Sequence, residues 1–261
     1  MCILFLAIDQ HPQYPVIICA NRDEFHQRPT KTMHWWQETD VQHSILAGKD
    51  LQAGGTWLGL NKQGRFSALT NYRQPQLFDN NKQSRGNLVL QSLNQHDDEI
   101  IELLAQTSSQ YNGFNLIFGQ LTNLSCFDSV TQRQQQLSSG FHSLCNGALD
   151  DIWPKMALGQ RQLNNAISSQ STQPLEIEEL FELMSNATQA KAELLPQTGI
   201  PLNWEQLLSS IFIISPDYGT RTTNIITLDI RGNIEIYDRS YNNKGACTEQ
   251  QNFSFTIESN S

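Results

Sequence analysis

Strand-like segments follow one another in hairpin-type groups along this chain, and two pairs of helical segments interrupt them. That order limits the fold more than any other feature, because a doubly wound parallel sheet needs strands and helices to alternate singly. Cys2–Ile8 and Pro15–Ala20 are short and apolar, and a polar connection containing Pro12 joins them into a predicted hairpin. Arg22–Thr32 is polar, carries Pro29 and reads as a loop. Ala47–Gly55 holds three glycines and leads into Thr56–Leu60; the turn Asn61-Lys62-Gln63-Gly64 then sends the chain into Arg65–Thr70, a second hairpin. Helices are predicted at Arg85–Gln91 and Asp98–Gln106, the second with Ile100, Ile101, Leu103 and Leu104 on one face and acids in its first turn. Strands return at Phe114–Gly119, Leu124–Asp128 and Gly140–Cys145. Pro154–Ser168 begins with a proline, where the missing N–H costs nothing, and Glu176–Met184 is a second helix. Four strands are predicted last, at Ser210–Ile214, Thr222–Asp229, Asn233–Asp238 and Phe253–Ile257. Two antiparallel sheets stacked between helix layers, a four-layer α-β-β-α sandwich, fit this order; an ordinary α+β fold fits the pattern as well. Neither an internal repeat nor a separating linker is visible, so residues 1–261 read as one domain. Gln170–Pro174 reads as a polar loop and Glu258–Ser261 as a frayed tail.

Charge narrows the function classes. The net charge is −9 and Lys and Arg form no block, which argues against nucleic acid and against an anionic membrane surface as partners. The five cysteines, at 2, 19, 126, 145 and 247, are odd in number, widely spaced and free of any CxxC pair. Zinc and thioredoxin-like readings fail on that spacing, and scattered thiols suit a reducing compartment. The six histidines lack metal-ligand spacing, so no metal or cofactor is expected. The N-terminus has no positive region before its short apolar run, and no stretch approaches the roughly 18 apolar residues that span a bilayer. These features predict a cytoplasmic protein without stable membrane insertion. Oligomeric state leaves no trace in the sequence.

Chemistry gathers at the first hairpin. Cys2 alone reads as a buried strand residue. Removal of Met1 changes that, because the Cys2 thiol then lies beside a free α-amine of pKa about 8, which serves as its base. The second strand runs straight into Asn21-Arg22-Asp23-Glu24, and a hairpin brings its end to the start of the first. Arg22 thereby becomes a cation next to Cys2, able to favour the thiolate. If the segment stays extended, Arg22 and Glu24 share one face while Asn21 and Asp23 share the other, leaving the identity of the site acid open. Gly54-Gly55-Thr56-Trp57 lacks a phosphate-loop pattern and enters a strand; its glycines allow close backbone approach. Trp57 and the pair Trp35-Trp36 are candidates for lining an apolar pocket or for packing. The competing reading of the four polar residues is structural, with an acid holding Arg22 in a buried pair.

Met-Cys at the start and Asn21-Arg22-Asp23-Glu24 resemble the NRDE family, also called the transport and Golgi organisation protein 2 family. The resemblance continues through Gly54-Gly55-Thr56-Trp57-Leu58-Gly59, Thr70-Asn71-Tyr72-Arg73, Ser84-Arg85-Gly86, Tyr111-Asn112-Gly113-Phe114-Asn115-Leu116, Asn146-Gly147 with Trp153-Pro154-Lys155, and Thr220-Arg221. It implies an N-terminal-nucleophile hydrolase fold, the α-β-β-α sandwich, with penicillin V acylases and bile salt hydrolases as enzyme relatives. By that resemblance Cys2 is the nucleophile, and Arg22 with Asp23 or Glu24 the orienting pair. Asn71 and Asn146 are oxyanion donors, and Arg221 is a late arginine of the site. Asn21, Trp57 and Tyr72 are taken as substrate contacts. The expected activity is hydrolysis of a non-peptide C–N bond in a small molecule. The alternative is a non-enzymatic binding or trafficking protein for a hydrophobic ligand such as haem or an acyl lipid.

Overall fold

The computed structural model describes residues 2–36, 44–169 and 174–258. Met1, His43, most of the Gln170–Pro174 loop and the tail beyond Glu258 lie outside the described residues. The chain opens with β1 (Cys2–Ile8), β2 (Val16–Phe25), β3 (Thr30–Trp35), β4 (Ile45–Asp50), β5 (Leu58–Asn61) and β6 (Arg65–Asn71). Helices α1 (Gly86–Asn94) and α2 (Asp97–Thr107) follow, then β7 (Phe114–Gln120), β8 (Asn123–Asp128), β9 (Arg133–Gln136) and β10 (Gly140–Leu144). After α3 (Pro154–Ser169), α4 (Ile177–Met184) and α5 (Leu202–Leu207) come β11 (Tyr218–Leu228), β12 (Asn233–Tyr241) and β13 (Cys247–Thr256). One sheet has the order β10-β1-β2-β11-β12-β13 and the other β3-β4-β5-β6-β7-β8-β9. Neighbouring strands in both are antiparallel.

Three cores separate four layers. Leu4, Leu6, Ile18 and Ala20 of the first sheet meet Leu46, Leu58, Leu60, Phe66 and Ala68 of the second. Ile3, Phe5, Ile17 and Cys19, on the other face of the first sheet, pack under Met156, Leu163, Leu180 and Phe181 of α3 and α4. Ile45, Leu69, Leu116 and Phe118 pack under Leu88, Val89, Ile100 and Leu104 of α1 and α2. The predicted α-β-β-α sandwich is therefore the observed one. It also explains why β1 is apolar without alternation, since both its faces are buried.

Several boundaries differ from expectation. Arg22–Thr32 is not one loop: β2 continues to Phe25 and β3 starts at Thr30. The polar residues stay extended because β1 and β11 flank them and satisfy their backbone. The glycine-bearing Ala47–Gly55 begins inside β4. Ser210–Ile214 is irregular although Ser210–Ile213 are buried; Asn21 Nδ2 donates to the Ile211 carbonyl at 2.9 Å in place of a ladder bond. β9 and the first half of β13 carry too few apolar residues for their patterns to announce them, and α5 is too short, at six residues, to show a helical period. Trp35 and Trp36 are packing residues: Trp35 meets Phe255, and buried Trp36 donates from Nε1 to the Ala47 carbonyl at 3.0 Å. Among the described residues no helix is long and apolar enough to cross a membrane.

Candidate active site

Register creates the site. Cys2 stands directly opposite Arg22 in the β1–β2 ladder, so both side chains project to one face as neighbours. That face is the one carrying Leu4 and Ala20 into the space between the sheets. Cys2 is 8% exposed and Arg22 5%. At this end the sheets part to leave a cleft of about 550 Å³, lined by Cys2, Arg22 and Glu24 together with Arg28, Asn71 and Arg85. Burial pushes the Cys2 thiol up to about 11, with Asp23 and Glu24 adding to the rise and Arg22 opposing it.

The Arg22 guanidinium lies over the Trp57 ring, 4.3 Å from its centroid, and its Nη2 is 3.9 Å from Glu24 Oε2. Trp57 reaches this place because residue 48 is glycine: a Cβ there would come within 2.3 Å of the indole. Buried Nη1 of Arg22 has no hydrogen-bond partner among the described residues. Glu24 continues the chain of charges, with Arg28 Nε 3.8 Å from its carboxylate and Arg28 Nη2 2.6 Å from Asp50. Burial pushes the Asp50 carboxyl up, but the Arg28 bond and the N–H groups of Gln52 and Ala53 outweigh it and hold it below the usual range.

The expected site residues divide by position. Cys2, Arg22, Glu24, Trp57 and Asn71 line the cleft, and Asp23 borders it from the opposite face of β2. Asp23 accepts from the Thr220 hydroxyl at 2.7 Å, and burial pushes its carboxyl up, partly countered by the positive charge at the chain's N-terminus, then by Lys155, that hydroxyl and Arg22. Asn21 lies outside the cleft lining; its Nδ2 donates to the Met184 and Ile211 carbonyls. Asn146 is buried behind Asn71 and donates from Nδ2 to the Asn71 carbonyl at 2.8 Å. Arg221 sits at a bulge opposite β2 and donates to the carbonyls of Phe25 and His26, bracing the β2–β3 turn. Tyr72 lines a side pocket that shares Asn71 and Arg85 with the cleft.

A family model described as Transport and Golgi organisation 2 matches residues 1–243. The chain belongs to this family. The human transport and Golgi organization protein 2 homolog is 31% identical over 284 residues, covering 99% of this chain and 100% of that protein. The Drosophila melanogaster transport and Golgi organization protein 2 is 25% identical over 257 residues, covering 88% of each. Among solved structures, a mutant conjugated bile acid hydrolase from Clostridium perfringens matches with a TM-score of 0.53 at 10% identity, over 98% of each chain. This chain thus shares its sandwich fold with that hydrolase.

Sequence reasoning assigned no role to Arg28, Asp50 or Arg85, all of which line the cleft. A signal for Arg85 existed in the two glycine motifs. Gly55 and Gly86 touch backbone to backbone, so that a Cβ on Gly55 would lie 2.6 Å from the Gly86 carbonyl carbon. This contact seats the start of α1 on the loop before β5 and aims Arg85 toward the cleft, where its Nη1 donates to the Gly113 carbonyl at 3.1 Å. A second cavity of about 430 Å³ opens beside the first and shares Glu24, Phe25 and Asn71 with it. Its further lining is Arg73 together with the mainly apolar Ile200, Pro201, Trp204, Leu208 and Tyr218.

Proposed function

We propose that this protein is a cysteine N-terminal-nucleophile hydrolase that cleaves a non-peptide amide C–N bond in a small molecule with one apolar end. The observation that carries the reading is the Cys2–Arg22 pair on the floor of the cleft. A thiol pushed up to about 11 is protonated at neutral pH, so attack needs a base within reach. Removal of Met1 supplies one, the α-amine of Cys2 itself. The amine takes the Sγ proton as Sγ bonds to the carbonyl carbon, and the carbonyl electron pair moves to oxygen. The ammonium then protonates the leaving nitrogen as the C–N bond breaks, giving a thioester and a free amine. Water adds to the thioester, losing its proton to the amine; the Cys2 thiol leaves and the acid is released.

Asn71 serves as oxyanion donor in this reading, and Asn146 holds it by its main chain. Arg22, held by Trp57 and Glu24, sets a positive charge beside the Cys2 thiol in this reading. Asp23 stands one register step beyond the Cys2–Arg22 pair and in this reading serves the α-amine of processed Cys2. Arg221 keeps the β2–β3 turn in place, and Asn21 ties β2 to the helix layer. The apolar cavity receives the acyl half.

The same cavity supports the second reading, a binding protein for an acyl lipid. Haem finds less support, since among the described residues lining the main cleft only Cys2 has a side chain of haem-ligating type. Intact-mass analysis of native material, followed by assay against N-acyl amides of graded chain length, separates the readings. The hydrolase reading expects Met1 removed and Cys2→Ala to lower turnover by on the order of 10³-fold or more. Retained Met1, or saturable acyl-lipid binding with no turnover and no dependence on Cys2, favours the binding protein instead.

A further inference from the structure

Lys155 has a place in the fold that its own helix does not explain. It is the second residue of α3 and 3% exposed. Such a position disfavours lysine twice, since burial strips water from the ammonium and the first turn of a helix favours anions. α3 has no acid in its first turn to offset this. Nζ donates to the Leu208 carbonyl at 2.8 Å, which uses one of three donors and leaves the charge to be balanced elsewhere.

Asp23 is the buried acid on the same side of the first sheet, and the Lys155 charge holds its carboxyl down against burial. This acid shares the helix-side face of β2 with Cys19 and Asn21, and it is almost fully buried. Leu208, held by Lys155, packs with Tyr218, whose hydroxyl donates to the Asp23 carbonyl at 3.1 Å. The groups whose charge or hydrogen bond reaches the Asp23 carboxyl are the positive charge at the chain's N-terminus and Cys2 from β1, Arg22 from its own strand, Thr220 and Tyr218 from β11, and Lys155 from α3.

We propose that Lys155 is a positioning residue of the Cys2 site, acting through Asp23: its buried ammonium keeps Asp23 a carboxylate, and Asp23 holds the ammonium formed when the Cys2 amine takes the thiol proton. The proposal rests on the hydrolase reading. One proton moves, from Sγ to the amine, while Asp23 and Lys155 keep their charges throughout.

The test uses the full chain with Met1 removed, verified by intact mass. The Asp23 carboxyl is titrated by carbon NMR, and iodoacetamide alkylation of Cys2 is followed from pH 5 to 9 by mapping the N-terminal peptide. In Lys155→Met the Asp23 midpoint rises by about one pH unit, and the acid limb of the alkylation profile moves up with it. Lys155→Arg, which keeps the charge, retains the wild-type limb. A parallel loss of rate at every pH with an unmoved Asp23 midpoint makes Lys155 merely structural and overturns the proposal alone. Retention of Met1 in native material overturns the hydrolase reading and the proposal with it. If Lys155→Met does not fold, the wild-type protein decides: the Lys155 Nζ resonance steps at the pH where Asp23 titrates, and the lack of a step overturns the proposal.

Discussion

At the residue scale the site is a matter of which face each side chain takes. Strand alternation divides Asn21-Arg22-Asp23-Glu24 into two pairs, and that division is legible from the four letters alone. Which pair meets the cleft is not, because it depends on the sheet that packs over β2. The second sheet covers the Leu4 and Ala20 face, so Arg22 and Glu24 join Cys2 while Asn21 and Asp23 turn toward α3 and α4. Asn71 was legible as a strand end, yet its standing depends on Asn146, seventy-five positions away, holding its carbonyl. With Asn71 as oxyanion donor, Asn71→Ala lowers kcat by about 10²–10³-fold and leaves KM nearly unchanged. Steady-state kinetics on an N-acyl amide substrate checks this; a rise in KM alone would make Asn71 a ground-state contact instead.

At the element scale the strong patterns were readable and the weak ones were not. α1 to α4 carry an apolar stripe, and their boundaries shift by at most three residues from the periodicity. β3 and β9 are polar strands at the two edges of the second sheet, where one ladder partner suffices and apolar alternation is not required. Glycine motifs signalled a close approach without naming its partner; the partner is Gly86 against Gly55. A Cβ at Gly55 meets backbone, which cannot rotate away, so Gly55→Ala displaces the start of α1 and with it Arg85. The expected cost is about 1–3 kcal/mol, together with weaker substrate binding. Urea unfolding and KM measured on the same variant check both parts. An unaltered KM beside a full stability loss would remove Arg85 from the binding cleft.

On the scale of the whole molecule, the four layers follow from strand grouping, but the ties between sheets do not. Asp238 on β12 is one such tie: it accepts from Asn224 at 2.7 Å and from the main-chain N–H of Met33 on β3, in the opposite sheet, at 3.4 Å. Burial pushes its carboxyl up to about 6 from an ordinary 3.8, those two donors opposing and Glu249 adding to the rise. The folded state therefore binds this proton more tightly than the unfolded state. The contribution is complete below about pH 4 and is lost as pH rises through 6, amounting to roughly 3 kcal/mol. Asp238→Asn removes that slope, so urea unfolding at pH 4 and pH 7 differs by roughly 3 kcal/mol less than in the wild type. The same pH dependence in both proteins would contradict it.

The sandwich as a whole exists, in this account, to hold one thiol at the floor of a cleft between its sheets. The direct test is to quench the processed protein with acid during turnover of an N-acyl amide and weigh it intact. The expected result is an added mass equal to the acyl group, located on Cys2, released by hydroxylamine and missing in Cys2→Ala. Turnover with no acyl mass on Cys2, or turnover that persists in Cys2→Ala, would contradict it.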